Sequence, residues 1–289
     1  MSAPRLIAVV LLVVAIAAGT AEDRPRTNPP LALGGYRVLA ADFHIHSSTW
    51  SDGALTPWGI VLEAQRQGLD VIAITGHNQV SDSKVGRWFA RFVGGPTVLI
   101  GQEIVAPGHH VIAVGIDRVV NSRQSVASQI DEVHRQGGIA IAAHPSARFW
   151  AAFDQAAMQR LDGAEICQPA IYERADIQRD LERFSAGWPV AAIGSSDFHI
   201  FGRIGGCRTF VFARDNSAAA ILEALRAHRT VVYGLNGKAY GDPAFVQLAA
   251  GHRGLRDAAS SDAPVGWLDW VSRVCGVLGL VGLVFRPRA

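Results

Sequence analysis

The sequence predicts an α/β fold, either a barrel or a doubly wound sheet. Between residues 37 and 234, short runs rich in Val, Ile and Ala alternate with helical patterns. Such alternation is typical of parallel strands buried beneath helices. The chain has 289 residues, of which 49% are hydrophobic and 18% charged. It is therefore long enough to bury a large core and too apolar to be mostly disordered.

The elements follow from continuous apolar runs and from helix start signals. Nine runs are predicted as strands: 37–43, 71–75, 97–103, 110–116, 138–143, 164–167, 190–194, 209–212 and 230–233. Helices are predicted over 56–68, 123–136, 173–186 and 217–228. Thr56 followed by Pro57 is a typical helix start, and Ser122 is the candidate cap of the second helix. The segment between Glu103 and His110 is too short for a helix, so strands three and four are expected to form a hairpin.

Charge and cysteine content exclude several classes of protein. The 27 basic and 25 acidic residues give a net charge of +2. Four basic residues and one acidic residue lie in the terminal segments 1–21 and 264–289, so the remaining body carries −1. A nonspecific nucleic-acid binder would need a basic face. The three cysteines have no CxxC spacing, which argues against a disulfide scaffold and a zinc ribbon.

Residues 1–21 are predicted to be a signal peptide or an N-terminal anchor. Arg5 precedes an apolar run over 6–18, and small residues follow at 19–21, which is the pattern of a secretory signal. The apolar run has 13 residues, whereas a membrane span needs about 20. Residues 22–36 are then a Pro-rich linker to the body, which is expected over 37–250.

Residues 266–286 are predicted to form a transmembrane helix behind a linker over 251–265. Glycines recur there at a spacing of three, which suits close packing in a membrane, and tryptophans and arginines flank the run. These residues are Gly276, Gly279, Gly282, Trp267, Trp270, Arg286 and Arg288. The body is therefore expected to lie outside the cytoplasm, anchored by this helix. The alternative is an amphipathic terminal helix packed on the barrel, since Asp269 and Arg273 interrupt the run.

Six of the ten histidines, with acidic residues, fall at the ends of predicted strands. The carboxyl ends of barrel strands converge on one face, where catalytic residues lie. These side chains are His44, His46, His77, Glu103, His110, His144, Asp197 and His199. Any one histidine is more simply explained as an ordinary core or surface residue, but the whole set at matched places indicates a site.

Carboxylates and imidazoles without thiolates suit Zn, Mn or Fe. Alternate residues of an extended segment point the same way, so His44 and His46 can bind one ion, and Asp197 and His199 repeat that spacing. The groups are too many for one ion, so two or three divalent ions are expected, with Glu103 able to bridge two. Several ions close together favour hydrolysis of a phosphoester or amide bond.

The motifs that carry these residues resemble those of PHP-domain (polymerase and histidinol phosphatase) proteins. The first is DFHIHSSTWSDG at 42–53, the second is GLDVIAITGHN at 68–78, and AHP at 143–145 and SDFH at 196–199 follow in order. The resemblance covers about residues 38–234. It implies a distorted (β/α)7 TIM-like barrel with a trinuclear metal centre and phosphoesterase activity.

The resemblance also implies a ligand set. One ion would take His44, His46, Glu103 and Asp197; a second would share Glu103 and take His110 and His144; a third would take Asp52, His77 and His199. His109 is expected to lie behind the ligands or to be exposed. Gly76 stands where the family usually has Asp, so a carboxylate beside His77 is expected to be missing and the third ion to bind more weakly. The short stretch between His110 and His144 leaves no room for the insertion of nuclease-like members, which disfavours a nucleic-acid substrate.

The preferred function is therefore a metal-dependent phosphoesterase that acts on a small phosphorylated substrate through a metal-bridging hydroxide at a di- or trinuclear centre. His77 or His199 is the candidate proton donor to the leaving oxygen, and Arg148 and Arg203 are candidates for binding phosphate. Two alternatives stay open at this point. One is hydrolysis of a non-phosphate ester or amide bond, and the other is a non-catalytic extracytoplasmic metal-binding module.

Overall fold

The computed structural model describes residues 3–22, 30–169, 180, 183–184, 188–200, 202–234, 237–260 and 267–284. The chain divides into two compact units. One contains residues 27–260, and the other contains 1–26 together with 261–289. Most of the helix predicted over 173–186 lies outside the described residues.

The larger unit is a mixed α/β barrel, which confirms the predicted fold class. Its strands are β1 Leu31–Leu33, β2 Tyr36–Asp42, β3 Val71–Ile74, β4 Thr97–Ala106, β5 His109–Val114, β6 Ile139–Ala142, β7 Gly163–Cys167, β8 Ala191–Gly194, β9 Thr209–Ala213, β10 Thr230–Tyr233 and β11 Ala239–Gly241. Its helices are α2 Pro57–Arg66, α3 Ser81–Val93, α4 Val126–Arg135, α5 Gln155–Met158, α6 Ala218–Arg226, α7 Pro243–Ala250 and α8 Arg253–Ser260. Helix α8 falls within the segment expected as a linker.

The strands form one sheet in the order β11-β10-β9-β2-β3-β4-β5-β6-β7-β8, with β1 beside β2. The hairpin expected of strands three and four is the antiparallel pair β4–β5. Strand β9 also runs antiparallel to its neighbour β2, so the barrel is not uniformly parallel. Thr209 links β9 to β8, the strand at one end of the sheet, because its hydroxyl accepts the Gly194 N–H at 2.9 Å and donates to the Gly194 carbonyl at 2.8 Å.

Apolar side chains fill the barrel and the space beneath its helices. The interior contains Leu39 and Ile141 of two strands and Phe43, which directly follows β2, and helix α6 packs against it through Ile221 and Leu225. Separate clusters lie under α2–α3 and under α4–α5. Helix α4 begins after Ser125, whose hydroxyl accepts the Ser128 N–H, rather than after the predicted Ser122. Because this core is closely packed, it holds the strand ends at the rim of the barrel in fixed positions.

The smaller unit contains two long apolar helices, α1 Ala3–Glu22 and α9 Trp267–Val284. Their apolar windows, of 19 and 18 residues, have mean hydropathies of 2.2 and 1.5. Both are long and apolar enough to cross a membrane. Helix α1 extends beyond the 13-residue apolar run that the sequence analysis judged too short.

Candidate metal centre

The predicted site residues meet at one rim of the barrel, where β2, β3, β6 and β8 end. Strand β5 runs the other way, so its first residues, His109 and His110, lie at the same rim, opposite Ala106 and Val105 of β4. Single backbone bridges join Ile45 to Phe198 and His77 to Glu103 beyond the strand ends. The rim thereby brings together His44, His46, Asp52, His77, Glu103, His110, His144, Asp197 and His199.

Glu103 lies at the centre of this cluster and is only 2% exposed. Its two carboxylate oxygens lie within 3.5 Å of ring nitrogens of His44, His46, His77, His110 and His144. The Oε2 atom is 3.0 Å from His77 Nε2, while Oε1 is 2.9 Å from His110 Nδ1. Because its two oxygens face different imidazoles, this carboxylate can bridge two cations.

Three buried donor atoms form an inner group, made of His44, His46 and Asp197. The Nε2 atoms of the two histidines are 3.0 Å apart, and Asp197 Oδ1 lies 3.1 and 3.2 Å from them. Ligand atoms bound to one ion at 2.0–2.2 Å lie about 3–3.5 Å from one another. Among the described residues, Asp197 Oδ1 is buried without a hydrogen-bond partner. The inner group therefore fits one divalent cation.

Two further groups of donors adjoin the inner group. The middle group is His44, Glu103 and His144, and the outer group is His46, Asp52, His77 and His199. The middle group is buried, and His144 Nε2 lies 3.2 Å from Glu103 Oε1. The outer group is more open, since Asp52 is 54% exposed and His77 37%. The arrangement offers two enclosed positions for cations and one facing solvent.

Glu165, which the sequence motifs did not predict as part of the site, is a buried carboxylate that orients the His44 imidazole and holds the backbone at His144. It lies in β7, is fully buried, and places Oε1 2.9 Å from His44 Nδ1. Its Oε2 accepts the backbone N–H of His144 at 2.6 Å. When Nδ1 of His44 donates to this carboxylate, Nε2 is left as the atom that faces a cation. The signal for it was present, because Glu165 is the single charged residue in GAEIC.

Asp42 and a disulfide hold the loops of the rim. The carboxylate of Asp42 accepts backbone N–H groups of His44, Ser196 and Gly205, at 3.3, 3.1 and 2.7 Å. Burial raises the pKa of Asp42, although these hydrogen bonds oppose the rise. Cys167 and Cys207 form a disulfide. One such bridge is not a disulfide scaffold, but the cysteine spacing alone did not reveal it.

Opposite charges dominate the electrostatics of the cluster. Burial favours a higher pKa for Glu103, but His44, His110 and His144 together hold that pKa well below its usual value. Burial likewise disfavours the charged form of His44, but Asp197, Glu165 and Glu103 raise its pKa well above the ordinary value. Without cations, imidazolium protons thus balance the carboxylates. Cation binding would release those protons.

Comparisons with known proteins agree with this geometry. A family model described as PHP-associated matches residues 179–230. A solved structure from Bacteroides vulgatus, described as a two-domain protein containing a predicted PHP-like metal-dependent phosphoesterase, is 25% identical, with a TM-score of 0.65 over 79% of this chain and 74% of that chain. The predicted likeness to the PHP-domain family is confirmed. The uncharacterized protein MJ1587 of Methanocaldococcus jannaschii is 29% identical over 143 residues, which cover 44% of this chain and 81% of the relative.

A less similar solved structure is an amidohydrolase from Chromobacterium violaceum with bound sulfate. It is 17% identical over 65% of this chain and 96% of that chain. Its TM-score of 0.45 is too low to support a functional argument. The PHP-like structure from Bacteroides vulgatus supports a metal-dependent hydrolase in general terms.

Gly76 is the position at which the PHP-like pattern changes, and the structure explains how. A Cβ atom on residue 76 would collide with the side chains of Gln79 and Asp82. Asp82 is fully buried, and its Oδ2 accepts the hydroxyl of Ser47 at 3.0 Å. Burial raises the pKa of Asp82, while hydrogen bonds from Gln79 and Ser47 oppose the rise. Asp82 of α3 therefore places a carboxylate next to Gly76, whereas the weaker binding of the third ion stays a prediction.

Of the two arginines predicted to bind phosphate, Arg148 lies one side chain away from the middle group. Its guanidinium carbon is 5.2 Å from the centroid of the Phe149 ring. Phe149 in turn packs on His110 and His144, with centroid distances of 4.5 and 4.6 Å. This phenylalanine, which the sequence analysis did not single out, forms an apolar wall of the site.

Two more residues singled out from the sequence, Arg203 and His109, differ in their surroundings. Arg203 is half-buried in the segment after His199, and its role in binding phosphate stays a prediction. His109 is buried, and its Nε2 lies 3.0 Å from Gln129 Oε1 of helix α4. It is therefore committed to the packing of α4 and is not exposed.

Proposed function

We propose that this protein is a metal-dependent phosphoesterase that hydrolyses a small phosphorylated substrate at a di- or trinuclear centre. The supporting observation is the set of donor atoms around Glu103, which are spaced as ligands of adjacent cations are spaced. Divalent cations bound there would supply a nucleophile at neutral pH and would offset the negative charge that develops on phosphate oxygens.

The chain's own residues then have distinct tasks. His44, His46 and Asp197 would hold the first cation, Glu103 would be shared, His110 and His144 would complete the second, and Asp52, His77 and His199 would hold the third. His199 donates from Nδ1 to the Asp197 carbonyl at 2.9 Å, so its Nε2 faces the outer group. His77 and His199 line the open side of the cluster, where a histidine that does not hold the third cation can give a proton to the leaving oxygen.

Substrate recognition is proposed for the two arginines near the rim. A planar guanidinium matches two phosphate oxygens. The Phe149 ring beneath Arg148 holds that side chain by a cation–π contact at 5.2 Å. The near-neutral body, with a net charge of −1 over residues 22–263, favours a small phosphate ester over a nucleic acid.

The test is metal content and turnover of the full chain purified in detergent. After supply of Mn²⁺, Zn²⁺ or Fe²⁺, mass spectrometry should find about two to three ions per chain, a number expected from the donor groups. 4-Nitrophenyl phosphate and bis(4-nitrophenyl) phosphate separate monoesterase from diesterase activity. His44→Ala should abolish both activities, whereas the matched control His134→Gln, outside the cluster, should retain them.

Three results would contradict the proposed function. Bound metal without turnover of any ester would favour a non-catalytic binding module. Turnover of 4-nitrophenyl acetate or an anilide, with none of either phosphoester, would favour ester or amide hydrolysis. A chain that holds no Mn²⁺, Zn²⁺ or Fe²⁺ would exclude the proposed chemistry.

We also propose that the barrel lies outside the cytoplasm and is anchored by α9. Trp267 and Trp270 stand at one end of this helix and Arg286 and Arg288 follow its other end, as the aromatic belt and the positive-inside rule require. The disulfide between Cys167 and Cys207 fits an oxidising compartment. A fused reporter that is active only outside the cytoplasm, placed after residue 260, tests this location.

A further inference from the structure

We propose that the two terminal helices form one membrane-embedded hairpin, in which α1 is a retained transmembrane span and the packing partner of α9. Helix α1 is then not a signal sequence removed on export. This inference rests on the proposed membrane location but not on the proposed chemistry of the barrel.

The first observation is a one-sided burial pattern along α1. Ala8 and Ala15 are 1% and 7% exposed, whereas Ile7 and Ile16 are 60% and 69% exposed. Ala8 and Ala15 lie seven residues apart, about two helical turns, so they share a face. The buried residues of α1 are Ala8, Ala15 and Ala18, with Leu12 on the same face. Large aliphatic side chains cover the opposite faces, as expected of a membrane helix packed against a single partner.

The second observation is the glycine stripe of α9, which faces those alanines. A Cβ on Gly279 would lie 2.7 Å from Leu12 Cγ and 3.0 Å from the Ala8 carbonyl oxygen. A Cβ on Gly282 would lie 3.0 Å from Ala8 Cβ. Side chains at these positions would push the helices apart. The glycines therefore allow the close backbone approach that drives association where lipid supplies no hydrophobic force.

The third observation is a polar contact between the helices. The hydroxyl of Ser272 donates to the backbone carbonyl of Ala15 at 2.8 Å. Gly19 lies beside it, and a Cβ on that residue would be 2.9 Å from the hydroxyl oxygen. Removal of residues 1–21 would take away this acceptor and uncover the glycine stripe. A signal peptide that is discarded has no need of a matched partner face.

Helix length and flanking charge agree with two spans. The 20 residues of α1 and 18 of α9 correspond to about 30 and 27 Å at 1.5 Å per residue, near the roughly 30 Å of a hydrocarbon core. Two spans return both chain ends to one side. Arg5 near one end and Arg286 and Arg288 near the other make that side the cytoplasm. The segment between the spans, with its disulfide, then lies outside.

Disulfide cross-linking of the full chain in native membranes tests the hairpin. A Cβ on Gly276 would lie 3.7 Å from Ala15 Cβ, close to the mean of about 3.8 Å in disulfides. In a Cys275→Ser background, Ala15→Cys with Gly276→Cys should oxidise to an intramolecular cross-link that peptide mass spectrometry detects. The matched control Val14→Cys with Gly276→Cys should react several-fold less, since Val14 faces away and is 39% exposed. Gly279→Leu should lower the yield of the Ala15 pair several-fold.

Three outcomes would overturn the hairpin. A mature chain that begins after residue 21 would show that α1 is removed. Equal cross-linking yields for the Val14 and Ala15 pairs would contradict the proposal that the Ala15 face of α1 packs on α9. A cross-linked product of twice the monomer mass would place the pairing between copies of the chain. Phosphoesterase assays on the same membranes separate the two proposals, because either can fail while the other holds.

Discussion

Glu165 Oε1 lies 2.9 Å from Nδ1 of His44, and both side chains are fully buried. The same carboxylate accepts the His144 N–H. One residue of β7 thus orients the imidazole of His44 and holds the backbone at His144, which follow two other strands. Histidines that bind metals commonly depend on such a partner for their tautomer and orientation.

Replacing Glu165 by Gln should keep the shape of the side chain but remove its charge. An amide holds Nδ1–H of His44 less strongly, so we expect about a 10- to 100-fold loss of metal affinity or activity. Metal titration of the apo-protein, followed by calorimetry, measures the change. Glu132→Gln on α4, away from the rim, is the matched control. Unchanged metal affinity in Glu165→Gln would show that this carboxylate does not support the metal ligands.

Gly76→Asp should destabilise the barrel, because the new side chain would meet Gln79 and Asp82. Overpacking of this kind costs about 1–3 kcal/mol, which corresponds to a lower Tm of several degrees. Adding Asp82→Ser should recover part of the loss, since it removes one of the two clashing groups. Circular dichroism melts of both variants give the comparison. If the stability losses of the two substitutions simply add in the double variant, the side chains of residues 76 and 82 do not compete for the same space.

Reduction of the disulfide between Cys167 and Cys207 should lower the free energy of unfolding. The bridge joins residues 40 apart in sequence, and closing a loop of that size stabilises a protein by about 2–4 kcal/mol. Urea unfolding with and without dithiothreitol measures the difference. Cys275→Ser, which removes the free thiol of α9, should leave the difference unchanged. Equal urea midpoints with and without reductant would show that the disulfide does not stabilise the fold.

The pair His134–Asp162 should make stability depend on pH away from the metal centre. The nitrogen Nε2 of His134 lies 2.8 Å from Asp162 Oδ2. This hydrogen bond raises the pKa of His134, and burial opposes the rise. A raised folded-state pKa contributes stability below the unfolded value of about 6.5, and that contribution is lost as pH rises through the folded pKa.

His134→Gln should therefore reduce the free energy of unfolding more at pH 5 than at pH 9. The side chain is 35% exposed, so the difference should not exceed about 1 kcal/mol. Urea unfolding at both pH values measures it. The neighbouring Arg135→Gln is the control and should show a pH-independent effect. A larger loss at pH 9 would reverse the assigned sign.

Nine of the eleven strands of the described residues could be predicted, because each is a short apolar run bounded by polar residues. The three-residue strands β1 and β11 were not predicted, and β1 lies in the segment expected as a linker. The hairpin of β4 and β5 followed from the few residues that separate Glu103 from His110. Helix α3 was not predicted, since its exposed face carries Trp88 and Phe92 and blurs the amphipathic pattern. The start of α4 was misplaced because Ser122 and Ser125 are equally good caps on paper, and only packing selects between them.

The sequence by itself determined the kind of side chain at each strand end, and a closed α/β barrel places strand ends at one rim whatever its details. Only the tertiary structure decided which oxygen of Glu103 faces which imidazole, that Glu165 stands behind His44, and that Asp82 fills the space beside Gly76. The physical reason is that a strand end is a local property of the chain. A hydrogen-bond partner or a filled space instead depends on residues brought together from distant parts of the sequence.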